Sequence, residues 1–289
     1  MRVLVTADLH YELDEYQGRV AALADEMVVQ DADALVIAGD IFALDTALLA
    51  RCLRLFEGFR GEKLLVAGNH DLWTREGGDS QELYAETIPE MAAACGFHDL
   101  DTGPRIVGDV GFVGTVGWYD YSFRDESLDI PIRFYEHKAG PGYCRGHPDL
   151  ERLLGPDEEL SPRALAARSY WNDGRMIHWA TDDRAFAALT AERLEAQLQE
   201  VEPQVRAVVA LTHHIPFAEM LVRKRDPSWA FGNAFMGCVG LGDTLLRHEK
   251  VTHAVFGHSH TRGRARIGHI EALNVGCTYR MKRYDAIEL

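Results

Sequence analysis

The sequence has 289 residues, of which 47% are hydrophobic, 26% charged and 9% aromatic. This is an ordinary globular composition, and it excludes the disordered, collagen-like and low-complexity classes. The 45 acidic residues outnumber the 30 basic ones, and the resulting formal net charge of −15 argues against a protein that coats nucleic acid or binds anionic lipid.

The first hundred residues alternate between short apolar runs and amphipathic segments. The apolar runs predict strands at residues 2–6, 34–38 and 63–67, and apolar positions at helical spacing predict helices at 15–29, 46–59 and 81–95. Strands that alternate with helices in this way imply right-handed crossovers and a mostly parallel sheet. The pattern therefore predicts an α/β fold.

The remainder of the chain mixes strands and helices. Residues 105–107 and 111–116 are typical of a hairpin, because two short β runs flank Gly108 and Asp109. A long helix is expected at 183–200, a strand at 206–211, a short helix at 242–248 and a strand at 252–256. Residues 264–288 alternate as an antiparallel ribbon does.

The segment 118–180 differs from the sequence on either side. It holds five of the ten prolines and ten aromatic residues. Prolines interrupt regular elements, but this aromatic content does not suit a flexible linker. We expect one domain over residues 1–289, with 118–180 as an ordered insertion of the kind that acts as a lid or binding loop. Its first aromatic side chains would either line the mouth of a site or pack in the core: Trp118, Tyr119, Tyr121 and Phe123.

The sequence also bears on the compartment. No window of 18 uninterrupted apolar residues occurs, so no transmembrane helix is predicted. The opening run MRVLVT lacks the long apolar stretch and cleavage site of a secretory signal. The five cysteines are widely spaced without a C-x-x-C pair, which argues against a disulfide framework or a thiolate zinc site. We expect reduced thiols and a cytoplasmic protein with no membrane partner.

Polar residues that can bind metals or move protons follow five of the predicted strands. They are Asp8-Leu9-His10, Gly39-Asp40, Gly68-Asn69-His70-Asp71, Thr212-His213-His214 and Gly257-His258-Ser259-His260. The carboxyl ends of strands are where open α/β sheets place their ligand sites. Taken singly, Asp and Asn at such positions are also ordinary turn residues.

The residue types in these loops favour two adjacent cations over a single zinc ion. The candidate ligands offer carboxylate, amide and imidazole donors without a thiolate, and they are Asp8, His10, Asp40, Asn69, His213, His258 and His260. Seven ligands exceed the needs of one tetrahedral zinc but suit two cations that share a bridging carboxylate. Glycines at 39, 68 and 257 permit tight turns beside the metals. Two such cations can acidify a water to hydroxide and neutralise the charge that builds on a phosphoryl group.

The five motifs, taken in order, resemble the calcineurin-like metallophosphoesterase superfamily, whose pattern is D-x-H, G-D, G-N-H-D/E, H and G-H-x-H. The resemblance covers roughly residues 3–117 and 205–280 and leaves the insertion outside. It implies a four-layer α-β-β-α sandwich of two mixed sheets flanked by helices. It also implies one metal on Asp8, His10, Asp40 and His260, and a second on Asp40, Asn69, His213 and His258, with Asp40 bridging.

The resemblance further implies roles for residues that do not bind metal. His70 would bind the phosphate and protonate the leaving oxygen, and Asp71 would orient His70. The fourth motif of the family reads H-x-P, and His213-His214-Ile215-Pro216 fits neither register cleanly. We prefer His213 as the ligand because it follows the strand most closely. His214 would then either support a ligand from behind or contact substrate, together with Asn69 and His70.

The expected activity is hydrolysis of a phosphodiester or phosphomonoester by metal-bound hydroxide attacking phosphorus, with a small or nucleotide-type substrate. The alternatives are a nuclease that acts on nucleic-acid ends and a non-catalytic metal-binding scaffold that recruits partners. The acidic charge argues against an extended duplex as substrate. These oxygen and nitrogen ligands accept Mn, Fe, Zn or Co, and Mn²⁺ suits an assay. The basic run Arg223-Lys224-Arg225 is either a substrate contact or a solvated helix end, and the oligomeric state stays open.

Overall fold

A computed structural model describes residues 1–155 and 159–289, and two β-sheets form its centre. The first sheet has the strand order β11-β1-β2-β3-β4. Its strands are β1 (Arg2–Thr6), β2 (Ala34–Ala38), β3 (Glu62–Val66), β4 (His98–Asp99) and β11 (Asp285–Glu288). Strands β1 to β4 run parallel, and β11 pairs antiparallel with β1. The predicted parallel sheet is therefore confirmed.

The second sheet has the strand order β5-β6-β7-β8-β10-β9. Its strands are β5 (Arg105–Val107), β6 (Val110–Thr115), β7 (Ala207–Thr212), β8 (Val251–Phe256), β9 (Gly263–Ile267) and β10 (Ile270–Asn274). Strands β6, β7, β8 and β10 are parallel, while β5 and β9 pair antiparallel at the two edges. The predicted hairpin of residues 105–116 is confirmed.

The prediction for the C-terminal segment is half right. Strands β9 and β10 form the expected antiparallel ribbon. Strand β11 does not extend that ribbon, because it crosses to the other sheet and pairs with β1. Alternating polarity is the same signal in either sheet, so the sequence pattern could not assign the partner.

Helices cover the outer faces of the sheets and build much of the insertion. They are α1 (Asp14–Val28), α2 (Thr46–Arg54), α3 (Ser80–Glu82), α4 (Ile88–Ala94), α5 (Ile132–Glu136), α6 (Pro141–Cys144), α7 (Pro148–Glu151), α8 (Pro162–Leu165), α9 (Asp173–Met176), α10 (Asp183–Val201), α11 (Pro227–Gly232) and α12 (Val239–Leu246). A π-helical stretch, Leu83–Thr87, joins α3 to α4, so the predicted helix 81–95 is continuous but irregular. Short 3-10 turns lie at His70–Leu72, Leu100–Thr102, Glu126–Leu128, Glu202–Gln204, Ala218–Met220 and Asn233–Phe235.

The hydrophobic core has two parts, because alternate residues of a strand point to opposite faces of its sheet. Val3 and Val36 of the first sheet share one buried cluster with Phe112 and Val209 of the second. Leu4, on the opposite face of β1, belongs to the cluster that includes the helices. Two sheets packed on each other with helices outside are the four-layer α-β-β-α sandwich, so the predicted fold is confirmed.

The insertion packs its aromatic residues inward. Trp118 and Tyr119 are fully buried, and Tyr121 and Phe123 are almost so. Of the two roles considered for these side chains, the structure shows core packing. The three residues 156–158 of the segment, among them one of its prolines, lie outside the described part of the chain.

The structure also bears on the expectations about cysteines and membrane-spanning helices. All five cysteines are free, and four of them are buried. Among the helices of residues 1–155 and 159–289, none combines the length and apolar character that crossing a bilayer requires.

Candidate metal centre

The loops that carry the predicted site residues meet at one end of the two sheets. Five parallel strands, three from the first sheet and two from the second, deliver them at their carboxyl ends: β1, β2, β3, β7 and β8. The side chains of the seven candidate ligands lie close together and are buried, apart from the partly exposed His260. The residues expected to gather at the carboxyl ends of strands therefore do lie together.

A first group of ligand atoms comes from Asp8, His10, Asp40 and His260, all within 4.8 Å of one another. The Nε2 atoms of His10 and His260 face each other at 3.1 Å. Asp40 Oδ2 lies 3.6 Å from His10 Nε2, and Asp8 Oδ1 lies 3.7 Å from His260 Nε2. Asp8 Oδ2 is buried without a hydrogen-bond partner in the described residues. An unpartnered carboxylate oxygen beside two converging imidazole nitrogens fits a divalent cation.

A second group lies on the other side of Asp40 and comprises Asp40, His213 and His258. His213 Nε2 lies 3.1 Å from His258 Nδ1 and 3.3 Å from Asp40 Oδ1. Asn69 joins this group, since its Oδ1 lies 3.2 Å from His213 Nε2. The two oxygens of Asp40 therefore face different groups, Oδ2 the first and Oδ1 the second.

The two adjacent histidines point in different directions. His213 Nδ1 hydrogen-bonds to the carbonyl of Ala38 at 2.9 Å, which turns Nε2 toward the second group. His214 Nδ1 bonds instead to the carbonyl of Val116 at 3.1 Å. The His214 ring packs against His258 at 4.4 Å between centroids, and its Nε2 is buried without a partner in the described residues. His213 thus lies within the group of ligand atoms, and His214 lies behind it.

The backbone of this site is strained. Five ligand residues have φ between 46° and 70°, the left-handed region: Asp8, His10, Asp40, His258 and His260. Non-glycine residues rarely occupy that region, and each such conformation costs on the order of 1–3 kcal/mol. The surrounding hydrogen bonds hold it in place, since Asp8 N donates to Gly39 O and His10 N to Asp40 O, both at 2.9 Å. Strain concentrated at one cluster is typical of a functional site.

Two glycines make the close approach of the loops possible. Gly39 has φ of +80°, and a Cβ there would lie 2.5 Å from His213 Nδ1. A Cβ on Gly68 would lie 2.2 Å from Asp40 Oδ1. Any side chain at these positions would displace a ligand, as the sequence pattern suggested for glycines beside the metals.

His70 lies at the edge of the two groups. Its ring stacks on Trp73 with centroids 3.6 Å apart, and its backbone N–H donates to Asp40 Oδ1 at 2.9 Å. Its Nδ1 has no hydrogen-bond partner in the described residues, and Glu12 Oε1 approaches it to 3.9 Å. The His70 ring is therefore oriented by Trp73, and its Nδ1 can hydrogen-bond to another molecule.

Asp71 has partners that differ from those the resemblance implied. Its Oδ1 accepts from the backbone N–H groups of Ile41 and Phe42, both at 2.8 Å. Its Oδ2 accepts from Gly68 N at 2.7 Å. Both oxygens are thus occupied by backbone donors, so the expected orientation of His70 by the Asp71 carboxylate is corrected. Asp71 instead ties the loop after β2 to the loop after β3 and so fixes the backbone beside Asp40.

Glu12 is a site residue that the sequence reasoning missed. Its Oε1 lies 3.1 Å from His10 Nδ1, the nitrogen opposite the one that faces the first group. A carboxylate behind a ligating histidine fixes its tautomer and orientation. The alternation Asp8-x-His10-x-Glu12 could have pointed to it, because alternate residues of an extended chain share one side.

Asp173, in the insertion, is the second missed residue. Its carboxylate is buried and accepts four hydrogen bonds from neutral donors. Oδ1 accepts from Asn69 Nδ2 at 2.9 Å and from Trp73 Nε1 at 2.7 Å. Oδ2 accepts from Tyr119 OH at 3.0 Å and from Trp171 Nε1 at 2.7 Å. Because it holds the amide nitrogen of Asn69, it leaves the amide oxygen facing the second group. No sequence signal connects positions 104 residues apart.

Burial and charge set the protonation of these groups. Burial raises the pKa of Asp40, but the adjacent His213 and other histidines outweigh it and hold the pKa well below its usual range. Burial lowers the pKa of His213, yet the Asp40 carboxylate brings it up to about 9. Burial lowers the pKa of His10 and His258 well below the usual value. The Asp40 carboxylate is thus ionised and the His10 and His258 imidazoles are neutral, the forms that bind metal, whereas His213 would have to release its proton to a bound cation.

Comparison with known proteins agrees with this geometry. The family model of calcineurin-like phosphoesterases matches residues 1–262. No curated protein matches the chain. Among solved structures, the phosphopantetheinyl hydrolase from Mycobacterium tuberculosis is similar with a TM-score of 0.70 and 16% identity, over 96% of this chain and 89% of that one. A dimetal phosphatase from Danio rerio is similar with a TM-score of 0.54 and 16% identity, over 99% and 91%. The protein TT1561 of Thermus thermophilus has a TM-score of 0.52 and 12% identity, over 96% and 90%.

Proposed function

Since this chain belongs to the calcineurin-like phosphoesterase family and is a metal-dependent hydrolase of phosphoester bonds, we propose that it uses two divalent cations to cleave a small or nucleotide-type phosphate ester. Asp8, His10, Asp40 and His260 would hold the first cation. The second would be held by Asp40, Asn69, His213 and His258. One observation carries this proposal: the two oxygens of Asp40 face two separate groups of ligand atoms, as a bridging carboxylate would.

The proposal gives the His213-His214 pair distinct roles. His213 is the ligand, a choice supported by its Nε2 atom within reach of Asn69, Asp40 and His258. His214 supports the ring of His258 from behind. Of the two roles considered for His214, its buried position favours support of a ligand over direct substrate contact.

When bound, the two cations would acidify a water molecule and neutralise the negative charge of the phosphoryl group. The protein supplies the rest of the chemistry. The Asp40 carboxylate and the imidazoles of His10 and His258 would fix the geometry, and Glu12 orients His10 from behind. We assign to His70 the proton that the leaving oxygen requires, because its ring is oriented by Trp73 and keeps a nitrogen without a protein partner in the described residues.

The net charge of the chain bears on the class of substrate. The chain has a formal net charge of −15, so a phosphate ester would be attracted only locally, at the cations. This favours a compact monoester or diester over an extended duplex. Phosphopantetheinyl esters belong in a substrate panel because a protein of similar fold is named for that activity. The five free thiols support the cytoplasm as its compartment.

The test is hydrolysis of bis-p-nitrophenyl phosphate and p-nitrophenyl phosphate by Mn²⁺-loaded protein, with metal content measured by mass spectrometry. We expect two Mn²⁺ ions per chain and turnover that EDTA abolishes. His213→Gln should lose metal and activity, whereas His214→Gln should keep most of its metal. His248→Gln is the matched control, because this buried histidine bonds Glu195 and Glu202 far from the site. Metal-independent turnover, or His213→Gln with two ions bound, would contradict the proposal.

A further inference from the structure

A cavity of about 430 Å³ opens directly beside the candidate metal centre. His258 and His260 form one side of it. Tyr170 and Trp171 of the insertion form another, and Trp229 of α11 lines it as well. The cavity is therefore continuous with the place where the phosphate of a substrate would lie.

The walls of this cavity are largely apolar and aromatic. Among the described residues that line it, none is Asp, Glu, Lys or Arg. Trp171 stacks on Phe235 with centroids 5.3 Å apart, and its edge meets His258 at 5.7 Å. Met236 adds a flexible apolar side chain. A group bound here would lose its contact with water and pack against apolar side chains.

The cavity is held open by bonds between the insertion and α11. Arg168 N donates to Ser228 Oγ at 2.9 Å, and Ser169 Oγ donates to Ser228 O at 3.1 Å. The indole of Trp229 donates to Val222 O at 2.5 Å. These bonds fix two walls relative to each other, so a ligand would meet a cavity that is already formed.

The neighbouring basic run does not make this cavity a second anion site. Lys224 Nζ lies over the ring of Trp229, 3.2 Å from its centroid. The ammonium is thus used against the outer aromatic side chain, and Arg223 and Arg225 are not among the lining residues. Of the two roles considered for the run, the structure favours the solvated one.

We propose that this cavity binds an apolar alkyl or aryl group of the substrate, attached through an ester oxygen to the phosphate at the metal centre. The inference rests on the proposed function. It names the substrate class as phosphate esters of apolar alcohols, since a polyol would lose hydration against largely apolar walls and meet there only the few polar groups of Ser169, Ser228, Asn233 and Ser259. Each methylene buried against these walls should tighten binding by about fourfold.

The test compares methylphosphonate with hexylphosphonate and phenylphosphonate as competitive inhibitors of p-nitrophenyl phosphate hydrolysis by the Mn²⁺-loaded protein. Phosphonates cannot be hydrolysed, so their inhibition constants report binding alone. We expect hexylphosphonate and phenylphosphonate to bind at least tenfold more tightly than methylphosphonate. Glycerol phosphate should bind no better than methylphosphonate.

Gly232 allows the cavity to be filled without removing a contact. It lines the cavity, has a helical φ of −61°, and an added Cβ meets no atom within 4 Å. Gly232→Leu should bring the ratio of the methyl to the hexyl inhibition constant close to one. Gly18→Leu is the matched control, since Gly18 lies in α1 and its Cβ also meets nothing. That variant should keep the wild-type ratio.

A second variant keeps the test informative if Gly232→Leu does not fold. Trp229 is 37% exposed, so Trp229→Ala should fold, and it should reduce the hexyl preference at least threefold. Equal inhibition constants for all phosphonates in the wild-type protein, alongside normal hydrolysis, would overturn the inference while the proposed function stands. Absence of hydrolysis with every ester would overturn the proposed function and this inference with it.

Discussion

Asp173 allows a sharp test of how the insertion supports the metal centre. Its carboxylate is 1% exposed and accepts from four donors, two on each oxygen. Asp173→Asn keeps the shape but turns one acceptor into a donor. If the new amide nitrogen takes the place of Oδ1, it faces the Asn69 amide and the Trp73 indole, and both are donors. If it takes the place of Oδ2, the Trp171 indole has no acceptor.

The magnitude follows from these contacts. An unsatisfied buried donor costs about 1–3 kcal/mol, and either arrangement leaves at least one, so the variant should lose at least about 1–3 kcal/mol of unfolding free energy. Asn69 can relieve the first arrangement only by flipping its amide, which turns its oxygen away from His213. A carboxylate behind a metal ligand typically contributes about 10- to 100-fold to affinity. We therefore expect Mn²⁺ affinity to fall by about that factor at one of the two sites.

The assay is calorimetric titration of the metal-free protein with Mn²⁺, combined with chemical unfolding. Asp183→Asn is the matched control, because Asp183 is also a buried carboxylate and accepts from Trp118, Tyr121 and Lys138 without touching a ligand. It should lose stability but keep both Mn²⁺ affinities. Wild-type Mn²⁺ affinity in Asp173→Asn would refute the assignment of Asp173 as a positioning residue for Asn69.

Three further predictions follow from the structure. His70→Ala should slow turnover by about 10²- to 10⁴-fold with metal content intact, and loss of both ions in mass spectrometry would contradict its role. Gly68→Ala should lower thermal stability by about 1–3 kcal/mol and reduce metal occupancy, because its Cβ would lie 2.2 Å from Asp40 Oδ1; an unchanged melting curve would be inconsistent with the close approach. Hydrogen bonding by Arg247 lowers the pKa of Glu195 to about 2. Between about pH 2 and 4.5 the unfolded chain therefore binds more protons than the folded chain. The ionised Glu195 should stabilise the fold by about 1 kcal/mol, since the pair is partly exposed. This stabilisation is present above pH 4.5 and is lost as the pH falls below it. Urea unfolding of wild type and Glu195→Gln should differ at pH 7 and converge as the pH falls below 4.5, and a constant difference would argue against this pair.

The strand-end residues were predictable because they are local to strands. Asp8, Asp40 and Asn69 follow runs whose burial and parallel pairing bring their ends together. The sequence alone was less able to decide which of His213 and His214 is the ligand. The choice depends on the carbonyl that each Nδ1 atom bonds: that of Ala38, at the end of β2, for His213, and that of Val116, just after β6, for His214. Both carbonyls belong to distant segments of the chain.

Contacts between distant segments account for most of what the sequence did not reveal. The oxygens of Asp71 are used by backbone N–H groups, which leave no mark in a motif. The aromatic side chains after Trp118 could not be divided between core and site mouth, because both environments select the same residue types. Asp173 lies in a segment outside the resemblance, and its bond to Asn69 forms only when the insertion packs against the loop after β3.

The contacts of Asp173 limit how the insertion can move. Asp173 binds a candidate metal ligand, Asn69, with one oxygen, and Trp171, a wall of the apolar cavity, with the other. Swinging this part of the insertion away would leave the Asp173 carboxylate and several hydrogen-bond donors unpaired. A lid made of the whole segment would therefore dismantle the metal centre as it opened. We expect any motion to be confined to parts of the insertion away from Asp173. The Asp173 carboxylate would then hold both the metal ligand Asn69 and the cavity wall residue Trp171 in place.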